Sequence, residues 1–152
     1  MRTILFVCTG NTCRSPMAEG IARGLVESGE IEGLDSDQLL FASAGVAAAE
    51  GMPPSPETRQ ILKARGIENT SKSIQLTPEM VNRADLVLAM TRAHLMAIKG
   101  QFNLSEEDEN CLHLLDPEQD VIDPIGQGSA AYQEAADIFD KLIPVRLKEL
   151  LA

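Results

Sequence analysis

Residues 3–16 read Thr3-Ile4-Leu5-Phe6-Val7-Cys8-Thr9-Gly10-Asn11-Thr12-Cys13-Arg14-Ser15-Pro16. The first five form a short, nearly all-apolar run. Such a run suits a strand buried on both faces, the kind a parallel sheet requires. Pro16 opens a helical pattern with Met17, Ile21 and Leu25 on one stripe, and Gly29 marks a plausible end. Proline is well suited to the first helical position, where its missing N–H costs nothing. Residues 8–15 therefore bridge a buried strand and a helix N-terminus.

The same alternation continues along the chain. Strands are expected at 39–44 (stopped by Gly45), 85–89 and 111–115. Helices are expected at 56–65, with Gly66 as its C-cap, and from Thr77-Pro78-Glu79. Two more are expected, one from Thr91 towards Gly100 and one from Ser129 to the C-terminus. Pro144 lies inside the last helix and is expected to kink or break it, because proline removes a hydrogen bond and clashes with the preceding turn. An Ala/Pro/Gly-rich loop covers 46–56 and a polar loop covers 116–128. Strands alternating with helices imply an α/β fold with a parallel sheet, and 152 residues imply one domain, 1–152.

Composition bounds the function. The chain carries 13 basic and 23 acidic residues, a formal net charge of -10. Nucleic-acid binding needs a clustered basic surface and is not expected. No run of apolar residues reaches membrane-spanning length, and the N-terminal stretch is too short for a signal peptide. Three cysteines are too few and too odd for a disulfide framework. A cytoplasmic protein with reduced thiols is the expectation, and a lone domain of this size is expected to be a monomer. An acidic surface favours basic protein substrates, although such a surplus often serves only solubility.

Residues 8–15 carry the chemistry. Successive backbone N–H groups in such a loop form an anion-binding nest, and the helix end adds its partial positive charge. Gly10 and Asn11 are residue types that tolerate positive φ. Cys8 would lie at the bottom of the cradle, where the donors that hold a phosphate also stabilise a thiolate. Arg14 can return over the loop with a planar fork that matches two phosphate oxygens. Ser15 can donate to the thiolate. The bare spacing Cys-x5-Arg is a weak signal; the strand before it and the Ser-Pro and helix after it strengthen it. The chemistry also needs an acid to protonate the leaving group. Asp123 sits in a flexible-looking loop, while Asp116-Pro117 reads more like the start of a turn. Asp120 is a minor candidate.

The run C-T-G-N-T-C-R-S at 8–15 resembles the phosphate loop of the low-molecular-weight protein-tyrosine-phosphatase superfamily. The similarity covers essentially the whole chain, including Ser43-Ala44-Gly45, residues 84–90 and Asp123-Pro124. It implies a four-stranded parallel sheet in the order 2-1-3-4, helices on both faces and a phosphate loop after strand 1. It implies Cys8 as nucleophile, Arg14 as phosphate clamp, Ser15 as thiolate partner and Asp123 as general acid. Thr9, Gly10, Asn11, Thr12, Cys13, Arg14 and Ser15 would bind the phosphate, with no metal and no cofactor. The substrates implied are phosphorylated proteins, cleaved through a phosphocysteine intermediate.

Two positions speak to the substrate. Tyrosine-directed members typically carry aromatics directly after the Asp-Pro pair, where this chain has Ile125-Gly126. The loop after Gly45 has no aromatic either, and Tyr132, the sole tyrosine, belongs to the final helix. Thr12 takes a place where tyrosine-directed relatives often have an aliphatic residue, and is similar here to the protein-arginine-phosphatase branch. Phosphoarginine is thus favoured, with phosphotyrosine as the alternative. Ser71 departs from the histidine that braces the loop asparagine in many relatives, so Asn11 is expected to be held differently. Cys8 and Cys13 are a candidate protective disulfide, or Cys13 is simply a small buried side chain. Arsenate reductases share the loop but need a further cysteine pair, and only Cys111 remains. A zinc site from Cys8, Cys13, Cys111 and His113, with His94 to spare, lacks the short spacing of structural zinc; a buried strand Cys111 and a half-exposed His113 are expected. A phosphate- or redox-sensing module without turnover would need neither Asp123 nor Ser15.

Overall fold

In the computed structural model, which describes residues 1–68 and 71–151, β1 (Arg2–Cys8) pairs in parallel with two neighbours. β2 (Leu39–Gly45) lies along one side of it and β3 (Leu86–Ala89) along the other. β4 (Leu112–Leu114) pairs with the outer edge of β3, giving the order β2-β1-β3-β4. The sheet is all parallel and the α/β domain is single, as the sequence implies.

Side chains alternate across a strand, so β1 feeds two cores. Ile4, Phe6 and Cys8 pack with Met17 and Ile21 of α1 (Arg14–Glu27), Leu62 of α2 (Pro56–Ala64) and Phe139 and Ile143 of α6 (Ser129–Leu151). Leu5 and Val7 pack on the other face with Val81 of α3 (Pro78–Arg83) and Ile98 of α4 (Arg92–Gln101). Burial on both faces is why these strands read as continuous apolar runs. No helix among the described residues is long and apolar enough to cross a membrane.

Four expectations need correction. α1 begins at Arg14, not Pro16, which puts Arg14 and Ser15 in its first turn; proline is still tolerated there because the first four N–H groups have no helical partner. A short α5 (Glu106–Asn110) was not expected; Ser105 caps it by accepting the N–H of Asp108 at 3.1 Å, and four acidic residues favour its positive end. α6 runs through Pro144 without a break. Ile143 and Leu147 flank that proline and are fully buried, so packing outweighs one missing helical hydrogen bond. Cys111 is half-buried at the C-cap of α5 and lies outside β4.

The chain passes from β1 to β2 on one side and then to β3 on the other. The order reverses between β1 and β3, and open α/β sheets place their sites in the crevice at the carboxyl ends of such strands.

Candidate active site

The loop from Cys8 to Arg14 is tethered by its carbonyls. Those of Cys8 and Thr9 accept from the N–H groups of Val46 and Ala47 at 2.9 and 3.0 Å. That of Thr12 accepts from Ser55 N–H at 2.8 Å, and that of Cys13 from Met17 N–H at 3.2 Å. In a trans peptide the carbonyl and the following N–H point in opposite directions. Tethering Thr9, Thr12 and Cys13 outward therefore turns the amides of Gly10, Cys13 and Arg14 away from those partners. α1 starts here with no side-chain cap, which leaves its first donors available to an anion.

Of the two positions expected to tolerate positive φ, only Asn11 uses it, at 58°. Gly10 does not, and a methyl group there would make only an ordinary contact with Thr12 Oγ1 at 3.9 Å. The glycine the loop does require is Gly45. A methyl group on it would run into the Thr9 carbonyl oxygen and approach Asn11 N to 3.1 Å.

Cys8 is 2% exposed, and two donors converge on its sulfur. Asn11 N–H lies 3.3 Å from Sγ, and Ser15 Oγ lies 2.9 Å from it. The direction of the Ser15 bond follows from its neighbours. Ser43 Oγ donates to Glu19 Oε1 at 2.7 Å and so accepts from Asn11 Nδ2 at 3.0 Å. The same Nδ2 donates to Ser15 Oγ at 2.8 Å, which leaves the Ser15 hydrogen for Cys8. Asn11 Oδ1 accepts from Ile74 N–H at 3.0 Å. Ser43 and the Ile74 backbone thus hold Asn11 in the manner the substitution at Ser71 left open.

Arg14 is buried and reaches across to the acid loop. Its Nη1 donates to the Val121 carbonyl at 3.0 Å, and Nη2 lies 3.5 Å from Asp123 Oδ2. The Asp123 carboxylate is 42% exposed, and Oδ1 accepts the N–H of Ile125 at 3.1 Å. The rival carboxylates are engaged elsewhere. Asp116 closes a turn on Glu118 N–H at 2.9 Å, and Asp120 accepts Arg92 N–H at 2.9 Å at the start of α4. Cys8, Arg14 and Asp123 line one cleft of about 170 Å³ together with Thr9, Thr12 and Ile125. Gly10 and Cys13 complete it, and none of these residues is aromatic. A larger hollow of about 370 Å³ beside Ile21, Gly24, Ile67 and Asp140 assembles no nucleophile.

Three features escaped the sequence. His94 is buried with Nε2 2.7 Å from Thr9 Oγ1. Tyr132 Oη stands 3.4 Å from Cys13 Sγ, and burial foremost, then the Cys13 contact, pushes the phenol pKa up, so it stays protonated. Ser55 both caps α2 and anchors Thr12. Only the Ser-Pro cap signal at 55–56 was locally visible. Cys111 and His113 lie outside the cleft. Burial raises the Cys111 thiol pKa and lowers that of His113, each foremost among its causes. Among the described residues no group of three His, Cys, Asp or Glu side chains is placed to hold a metal ion.

A family model described as low molecular weight phosphotyrosine protein phosphatase matches residues 3–151. The chain belongs to this family. It is 39% identical over 150 residues to a protein-arginine-phosphatase of Geobacillus stearothermophilus, covering 97% of this chain and 95% of that one. A crystal structure of a YwlE mutant from Bacillus subtilis superposes with a TM-score of 0.87 at 34% identity, covering all of both chains. A low molecular weight protein tyrosine phosphatase from T. tengcongensis gives a TM-score of 0.85 at 35% identity, covering 98% of this chain and 99% of that one. As a low-molecular-weight phosphatase the protein is a hydrolase with a cysteine-based site.

Proposed function

We propose that this phosphatase dephosphorylates arginine side chains of proteins through a phosphocysteine intermediate on Cys8. One observation carries the preference: the cleft wall over Cys8 has the polar Thr12 and no aromatic residue. A phosphotyrosine ring is best held between flat apolar or aromatic walls. A guanidino leaving group offers nitrogens that Asp123 can hydrogen-bond and protonate, and its N–H donors suit the acid better than an apolar ring does. The identity to a protein-arginine-phosphatase supports the same reading.

The Cys8 thiolate attacks phosphorus in line, and the P–N bond breaks as Asp123 gives its proton to the leaving guanidine. Water then attacks the phosphocysteine, its proton passes to Asp123, and the P–S bond breaks to return the thiolate and inorganic phosphate. Loop amides and Arg14 hold the equatorial oxygens best in the transition state. The Ser15 hydrogen stabilises the thiolate as attacking and leaving group. When peroxide oxidises Cys8 to its sulfenic acid, Cys13 attacks it with loss of water, and the disulfide shields the nucleophile. The proposed setting is a reducing cytoplasm, in which the three thiols stay reduced, with the enzyme acting as a monomer.

The test is kcat/KM on two matched peptides, one phosphorylated on arginine and one on tyrosine. A strong preference for phosphoarginine that weakens in Thr12→Ile supports the assignment. A preference for phosphotyrosine overturns the substrate and leaves the chemistry standing.

A further inference from the structure

Thr9 follows Cys8 directly and lines the cleft, yet its hydroxyl is engaged by a distant element. Oγ1 lies 2.7 Å from Nε2 of His94. His94 stands in the first turn of α4, where Thr91 Oγ1 accepts its backbone N–H at 3.1 Å. One hydrogen bond thus joins the loop after β1 to the helix after β3, across the crevice where the sheet order reverses. The Thr9 carbonyl is already fixed by Ala47 N–H on the opposite side. The hydroxyl rotor is the freedom that remains.

The ring's surroundings decide where its hydrogen sits. The imidazole is 5% exposed, and its Nδ1 is buried with no hydrogen-bond partner among the described residues. Burial first, and then the Arg14 guanidinium, push its pKa down to about 4, against opposing pulls from Asp120 and Asp123. The ring is neutral at neutral pH and carries one hydrogen. On Nδ1 that hydrogen would be a buried donor without an acceptor, the rarer kind of unmet group in folded proteins. On Nε2 it meets Thr9 Oγ1. The threonine then accepts, and its own hydrogen is left for another partner.

We propose that His94 is a positioning residue: by donating from Nε2 to Thr9 Oγ1, it presents the Thr9 hydroxyl hydrogen to the phosphoryl group held over Cys8. Thr9 is the group that touches substrate, and His94 acts through it. The proposal rests on the loop as the reacting site and is independent of the choice between arginine and tyrosine.

The test uses the full chain, an aryl phosphate as substrate and inorganic phosphate as competing ligand. Thr9→Val and His94→Leu should each lower kcat/KM by about 3–10-fold, the worth of one neutral hydrogen bond. Each should also weaken inhibition by phosphate. The double variant should fall no further than Thr9→Val alone, because both changes remove the same contact. His94→Gln keeps an N–H near the Nε2 position and should recover most of the loss. Full activity in Thr9→Val overturns the proposal, and so do losses that multiply in the double variant. Thr9 is exposed, so Thr9→Val remains a test even where His94→Leu fails to fold. An active Cys8→Ser would instead remove the reading of the site itself.

Discussion

Asp123 is more exposed than Cys8 and Arg14, with Oδ2 3.5 Å from Arg14 and Oδ1 accepting the Ile125 N–H. In the proposed mechanism it contributes a proton rather than a binding surface. Asp123→Ala should therefore reduce kcat on phosphopeptides by about 10²–10⁴-fold, the usual worth of a positioned general acid. Inhibition by inorganic phosphate should hold or strengthen, because the anion is bound by amides and Arg14. Equal loss of turnover and phosphate binding would count against this role. His94 gives a second prediction at this scale. Its pKa is lowered from 6.5 to about 4 on folding. Between those values the unfolded chain binds a proton that the folded chain refuses, so this group makes stability rise with pH across the window and fall as pH drops through it. Denaturant unfolding at several pH values between 4 and 6.5 should show a shallower slope for His94→Gln than for the parent. An identical slope would mean that the ring titrates normally.

Among the elements, β2 and the segment after it build the site as much as the loop itself. Val46, Ala47 and Ser55 supply the tethers, and Gly45 supplies the clearance. Gly45→Ala should destabilise by about 1–3 kcal/mol, as overpacking does, and should lower kcat/KM by displacing Thr9. Thermal unfolding and aryl phosphate turnover check both; a variant with parent activity would show that the loop shape does not depend on this contact. The strands and most helices were legible because two-sided burial writes apolar runs and Pro, Thr and Gly mark helix ends. Cys8, Arg14 and Asp123 were legible as candidates because their residue types and loop positions suit the chemistry. The tethers were not legible, since backbone donors leave no trace in side-chain identity. His94 was not either: a lone histidine three residues into a helix looks like any other until the fold sets it against Thr9. Pro144 misled because local propensity favours a break there, whereas the buried residues around it keep the helix continuous.

For the molecule as a whole, the net charge of -10 is relevant because Asp116, Glu118, Asp120 and Asp123 all lie on the loop that borders the cleft. Basic phosphopeptides should be drawn to it, and salt should screen the attraction. Raising ionic strength should lower kcat/KM several-fold, mainly through KM, for a lysine-flanked phosphopeptide and much less for a neutral one. An equal response of both peptides would reduce the charge to a solubility feature. The topology gathers the proposed machinery at one crevice: Cys8 at the end of β1, the tethers after β2, His94 after β3 and Asp123 after β4. The most direct check on that arrangement is to quench the enzyme during turnover of a phosphoarginine peptide and locate the phosphoryl group by mass spectrometry. The account predicts it on Cys8, with none formed in Cys8→Ser. A phosphoryl group on any other residue, or turnover that continues without Cys8, would contradict it.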